Sequence, residues 1–112
     1  MWVETPTKTF TAAAAVSRRR RVKLNGADIE HCTSGDAGIG YVLNDAEIGE
    51  TVSVRLDNAQ GTHEAVADGA ITAGAVVYAA AAGRVAAAGS VEVGVALSAA
   101  TAQDDLVEIL KP

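Results

Sequence analysis

An all-β fold, a small β-sandwich or partly open β-barrel of short strands and hairpins, is predicted by three observations. Residues 51–56 (TVSVRL) alternate cleanly, with Val52, Val54 and Leu56 facing one way and Ser53 and Arg55 the other. Turn residues such as Asn25-Gly26, Asp57-Asn58, Gly61, Asp68-Gly69 and Gly74 separate such runs at a spacing of ~8–12 residues, the rhythm of all-β domains. The alanine-rich stretch 76–89 (VVYAAAAGRVAAAG) is cut by Gly83 and Gly89 into pieces shorter than the ~12–15 residues an independent helix needs.

The elements follow in order. Residues 1–7 (MWVETPT) contain a proline and no periodicity, and read as an extended N-terminal arm before one domain over 8–112. Residues 8–14 can form a strand carrying Phe10. Residues 20–24 alternate, with Val22 and Leu24 opposite Arg21 and Lys23, and Asn25-Gly26 turns the chain. Residues 29–32 are a weaker strand, ended by Thr33-Ser34-Gly35-Asp36. Residues 91–97 alternate like 51–56, so Val91, Val93, Val95 and Leu97 are expected inward and Glu92, Gly94 and Ala96 outward. Val107 and Ile109 alternate with Glu108 in a last strand. In the opening of 76–89, Val76, Val77 and Tyr78 have strand preference. Gly83 can supply the positive φ of a turn, and Arg84, Val85 and Ala86 the return, so a hairpin is predicted.

A short internal similarity relates residues 39–46 (IGYVLNDA) to residues 93–100 (VGVALSAA), each followed by an acidic turn and an alternating strand. Two units of one design, or a chance match among small residues, would both produce it.

Composition bounds the rest. The chain has 112 residues, 49% hydrophobic and 21% charged, which is an ordinary globular balance. Of the hydrophobic residues 24 are alanines and aromatics are 4%, so the core is thin. Burial stabilises by about 25 cal/mol per Å², and self-association is the simplest way to gain more of it. Residues 1–24 carry a net +5 and residues 25–112 a net −10, a basic start on an acidic body. The one cysteine, Cys32, excludes an intrachain disulfide, and no apolar run approaches the ~20 residues of a membrane helix. The apolar run 12–16 is too short for a signal peptide. The protein is expected to be soluble and made in a reducing cytoplasm.

No catalytic chemistry is found. His31 and Cys32 are adjacent and point to opposite faces of a strand, and His63 is the only other histidine, so no zinc-ligand spacing exists. No serine lies in a nucleophile-elbow context, and Asp104-Asp105 falls in a turn. Residues 35–40 (GDAGIG) lack the lysine and helix of a phosphate loop. No cofactor or metal is therefore expected, and an enzyme is not predicted. Two features remain as candidate contacts with a partner. Trp2 and Val3 on the arm can anchor or fray, since tryptophan is enriched at interface hot spots and an extended segment can join a neighbouring sheet. Arg18, Arg19, Arg20 and Arg21 form a solvated edge, a protein-facing ion-pair surface or a nucleic-acid patch; the acidic body and the lack of interleaved aromatics weigh against nucleic acid.

Four phrases, KTFTAAAAVSRRRRVKL, GIGYVLNDAEIGETVSVRL, GAITAGAVVYAAAAGRV and VGVALSAATAQDDLVEILKP, resemble the phage capsid decoration or cement proteins over about residues 8–111. Arg84 stands where that family often has lysine, and Ala75 where an acid is common. The resemblance implies a β-rich virion protein, often a homotrimer, that binds the major capsid protein on the outer surface of the mature head and clamps neighbouring capsomers. It would be made in the host cytoplasm and have neither cofactor nor membrane. Other classes compete. A biotinyl-like carrier needs a lysine at an exposed hairpin tip, and Lys8, Lys23 and Lys111 lie in no central hairpin. A nucleic-acid-binding β-barrel rests on the arginine run alone.

Overall fold

The computed structural model describes residues 7–36, 38–56 and 62–110. Strands β1 (Thr7–Thr11), β2 (Arg21–Asn25), β3 (Asp28–His31), β4 (Gly40–Val42) and β5 (Thr51–Leu56) form one antiparallel sheet in the order β1-β5-β4-β2-β3. Strands β6 (His63–Val66), β7 (Val76–Ala79), β8 (Val85–Ala86), β9 (Glu92–Ala96) and β10 (Leu106–Leu110) form a second, in the order β6-β10-β9-β7-β8. The all-β prediction holds, and the two orders are the same with every strand moved five places along the chain. The molecule is a duplication.

The correspondence reaches single hydrogen bonds. The bridges Ala12–Ile29 and Val16–Ala46 in the first unit recur as Ala67–Val85 and Ile71–Ala100 in the second. Gly49 donates to the carbonyl of Ala12, and its counterpart Asp104 to that of Ala67. Arg19 donates to Val42 and Gly74 to Ala96. All four of those donors have positive φ: Arg19 at 64°, Gly74 at 89°, Gly49 at 84° and Asp104 at 72°. The backbone keeps its left-handed turns whichever side chain stands there. Conformation is thus shared where residue identity is not, and the repeat shows in sequence only as a faint similarity.

Each unit has its own core. The bridge between Ala12 and Ile29 ties the end of β1 to the opposite edge of its sheet, so the sheet curls around Val22, Ile29, Val42, Val52 and Val54. The second curls likewise around Ile71, Val77, Val85, Val107 and Ile109, with Ala65, Ala67, Ala96 and Ala100 as small spacers. Tyr41 of the first unit belongs to the second core.

Residues 51–56 form β5 as read, with Val52 and Val54 buried. The hairpin within residues 76–89 is also present: Tyr78 pairs with Ala86 and Ala79 with Val85. A single 3₁₀ turn, Ala81–Gly83, connects the strands, with Ala82 and Gly83 at φ 55° and 73°. Thr7, counted with the arm in the sequence reading, pairs with Arg55 as the first residue of β1. The rest of the arm and the Asp57-Asn58 and Gly61 turn lie outside the described residues.

The expected orientation of β9 holds at its start, where Glu92 is exposed and Val93 packs against the second core, and reverses beyond it: Gly94 and Ala96 are buried, Val95 is half-buried and Leu97 is 46% exposed. The reason is close approach: a side chain at Gly94 would lie 2.6 Å from both Ile109 Cγ2 and the Leu110 carbonyl oxygen. Only the smallest residues fit the inner face at Gly94 and Ala96, so Val95 and Leu97 turn outward. A register shift between Val77 and Tyr78 accompanies this.

Candidate functional site

The arginine run sits where the two units meet, and its geometry follows from the strand it enters. Arg18 lies in the turn before β2. Its backbone N–H donates to Asp45 Oδ1 at 2.7 Å, and its guanidinium lies 3.6 Å from Asp45 Oδ2. Arg19 reaches across to Glu64 of the second unit at 3.6 Å. Arg20 lies 3.7 Å from Asp104 and donates to the Ala82 carbonyl at 3.0 Å, both in the second unit. Arg84 shares Asp104 at 2.9 Å. Arg21 is 2% exposed and donates to the Asp36 carbonyl at 2.9 Å. The run does not form one continuous patch: Arg18, Arg19 and Arg20 lie in the turn leading into β2, where Arg19 has φ 64°, and each side chain of the run finds a different acceptor. Exposed pairs such as Arg18–Asp45 are worth ~0–1 kcal/mol each, and only Arg19 and Arg20 of the run pair across the two units. Arg18, 65% exposed in its side chain, is the member most available to a partner.

Gly83 completes the junction. Its N–H donates to the Cys32 carbonyl at 2.8 Å, so the tip of the β7–β8 hairpin rests on the backbone of the first unit. An added Cβ would lie 2.5 Å from the Arg21 carbonyl oxygen, so only glycine serves both the left-handed turn and the contact. Below this, Tyr41 stacks on His63 with ring centroids 4.8 Å apart. Neither Tyr41 nor the Asp104 pairing was singled out by sequence; the only signal was the offset similarity that contains Tyr41.

The remaining reactive side chains have structural partners. His31 Nε2 accepts from the Ser17 N–H at 3.0 Å, and burial, reinforced by Arg20 and Arg84, pushes its pKa down. Cys32 is buried. No group of His, Cys, Asp and Glu that could hold a metal occurs among the described residues. A groove of about 520 Å³ between the units is lined by Arg19, Leu43, Arg55, Glu64, Leu106 and Glu108, a mixed surface that holds the Arg19–Glu64 pair. Trp2 and Val3 lie outside the described residues.

Several carboxylates hold turns. Asp36 is held down to about 2 by the Thr33 N–H and hydroxyl and by Lys23. The Thr101 and Ala102 donors lower Asp105, and the Arg18 N–H lowers Asp45. Each folded value is below its usual value near 3.8, so the stabilisation is full above that pH and is lost as pH falls through the folded value. His31 acts in the same direction from higher pH, because protonating it opposes its folded state below its ordinary 6.5. Thermal scans should show Tm falling steadily from pH 7 to pH 2.5. The Asp36→Asn variant should show a shallower fall below pH 4, and an unchanged slope there would contradict this assignment.

Two curled β units are joined by a charged and aromatic seam, and among the described residues His31, Asp36, Asp45 and Asp105 each hold a backbone N–H. The chain belongs to the phage cement protein family, whose model matches residues 3–110. It is accordingly a capsid-associated structural protein. Among solved structures it is similar to the N base of head fiber gp8.5 of bacteriophage phi29. The TM-score is 0.83 at 17% identity, covering 95% of this chain and 92% of that one. At that identity the likeness establishes the fold. No curated protein matches the chain.

Proposed function

We propose that the protein binds the outer surface of the expanded phage head as a homotrimer and clamps neighbouring capsomers of the major capsid protein. Family membership over residues 3–110 is the observation that carries this reading. The mechanism is mass action. A protein that binds the expanded shell and not its precursor stabilises it by RT ln(1 + [L]/Kd), ~2.7 kcal/mol per site at a hundredfold excess over Kd, repeated over many sites. A trimer multiplies this through effective concentration. The arm, with Trp2 and Val3, and the exposed Arg18 are the contacts assigned to the capsid. The engagement of Arg19 and Arg20 with Glu64 and Asp104 supports a protein rather than a phosphate partner.

Deleting residues 1–6 stops short of β1 and should weaken capsid binding by more than about tenfold, ~1.4 kcal/mol, while the far-ultraviolet circular dichroism is unchanged. Arg18→Glu should lower affinity by a smaller factor and make it less salt-sensitive. Unchanged affinity in both variants would show that neither contact is used.

A further inference from the structure

The duplication gives every surface of one unit a counterpart on the other, and at the seam only half of these counterparts are occupied. The first unit offers the outer side of β2 and β4, carrying Arg19, Arg20, Arg21 and Tyr41. This docks beside β6 and the β7–β8 hairpin tip of the second, meeting His63, Glu64, Ala82 and Asp104. By shared strand register and hydrogen bonds, the counterparts of the docking residues are Gly74, Ala75, Val76 and Val95. The counterparts of His63, Glu64 and Asp104 are Lys8, Thr9 and Gly49.

Among the described residues, neither counterpart surface is fully covered. Val76 is 37% exposed, and around it on the outer side of the second sheet Leu97 and Leu110 are 46% and 45% exposed. Beside β1 lies an open groove of about 550 Å³ lined by Lys8, Thr9, Phe10, Leu24, Ala27 and Asp28, with Leu24 51% exposed. This groove lies between β1 and the β2–β3 hairpin tip, where the second unit holds the first unit's residues between β6 and its own hairpin tip.

The two vacant surfaces match in charge as the occupied ones do. Inside the chain, Arg19 and Arg20 face Glu64 and Asp104. In the vacant pair both sides have lost those charges together: Gly74 and Ala75 would face Thr9 and Gly49. The aromatic pair Tyr41–His63 becomes Val95 opposite Lys8, whose ammonium lies 5.5 Å over the Phe10 ring. Charge removed from one side alone would leave the other desolvated and unpaired; here neither Arg19 and Arg20 nor Glu64 and Asp104 have a charged counterpart, and Lys8, the cation left at the contact, keeps its ammonium over the Phe10 ring.

The geometry points to a second copy of this chain as the occupant: the outer side of β7 and β9 of one copy seats in the β1 groove of the next, repeating between chains the contact made within each. Such a contact is heterologous, and in the trimer proposed above it would make a ring of six units. The inference rests on the trimer reading above and specifies which surfaces build the trimer.

The test combines light scattering with cross-linking of the full chain. Lys8→Cys and Val95→Cys are made singly and together, and treated with a short bismaleimide; the parent chain, whose Cys32 is buried, is the control. The double variant is expected to give covalent dimers and trimers, and the single variants and parent none. Self-linking of Val95→Cys alone would mean a face-to-face contact and would overturn the proposal. A trimer by light scattering that the double variant fails to link would overturn this contact and leave the trimer standing; a monomer at all concentrations would overturn both. As a second variant, Val95→Asp is expected to weaken self-association by more than about tenfold with unchanged circular dichroism, and undiminished association would count against the contact.

Discussion

Replacing Gly40 with alanine is expected to cost about 3 kcal/mol or more, a large share of the ~5–15 kcal/mol that holds a domain of this size. Gly40 is opposite Leu56 in the β4–β5 ladder. A methyl group there would overlap the Arg55 carbonyl oxygen and lie 3.0 Å from both the Arg55 carbonyl carbon and Leu56 Cα. These are backbone atoms of a paired strand, so nothing can rotate aside. Overpacking generally costs ~1–3 kcal/mol where side chains can adjust, and here the ladder itself must shift. Its counterpart Gly94 is pressed by Ile109 Cγ2 and the Leu110 carbonyl, each 2.6 Å from an added Cβ. Ile109 can give way, but the Leu110 backbone cannot and Gly94 also sits at φ 158°, so Gly94→Ala should be strongly destabilising as well. Gly69→Ala is the control, because nothing lies within 4 Å of a Cβ there. Thermal unfolding should lower the Tm of Gly40→Ala by more than ~10 °C and leave Gly69→Ala near the parent. Equal Tm values for the two variants would refute the close-approach account.

Tyr41→Ala is the second large effect, at ~3–5 kcal/mol, the range for truncating a buried aromatic side chain. Tyr41 is 3% exposed, rises from the first sheet and completes the second core. Its removal takes away burial and the stack on His63, and opens the second core at the seam. Tyr41→Phe keeps the ring and should cost far less. In urea, the Tyr41→Ala midpoint should fall while that of Tyr41→Phe stays near the parent. A double-mutant cycle with His63→Ala should show a coupling of ~0.5–1.5 kcal/mol. Additive single effects would mean that the stacked rings contribute only as separate buried groups.

Much of the fold was legible because it depends on alternation and turn chemistry, which are local. Residues 51–56 declared their buried face, and Gly83 its turn. The strand β6 was not seen: HEAV begins with two polar residues, and His63 is buried by Tyr41, which no local pattern around it reveals. The face of β9 was misread from Gly94 onward because large apolar residues normally mark the inside; here the close approach at Gly94 admits no side chain, so Val95 and Leu97 face outward while Val93 keeps its place against the core. The arginine run was visible as charge, but its partners Asp45, Glu64 and Asp104 lie far along the chain, and charge counting cannot supply them. The duplication left a trace only at residues 39–46 and 93–100. Elsewhere it survives as backbone conformation, with Arg19 and Asp104 standing where the other unit has glycine.

The chain is a capsid-associated structural protein, and the function proposed for it rests on a preference for the expanded shell. Co-sedimentation of the purified protein with expanded and with immature heads of its own phage, over a range of concentrations, tests it most directly. Saturable binding to expanded heads with little binding to immature ones is the predicted result. Failure to bind expanded heads, or equal binding to both forms, would contradict it.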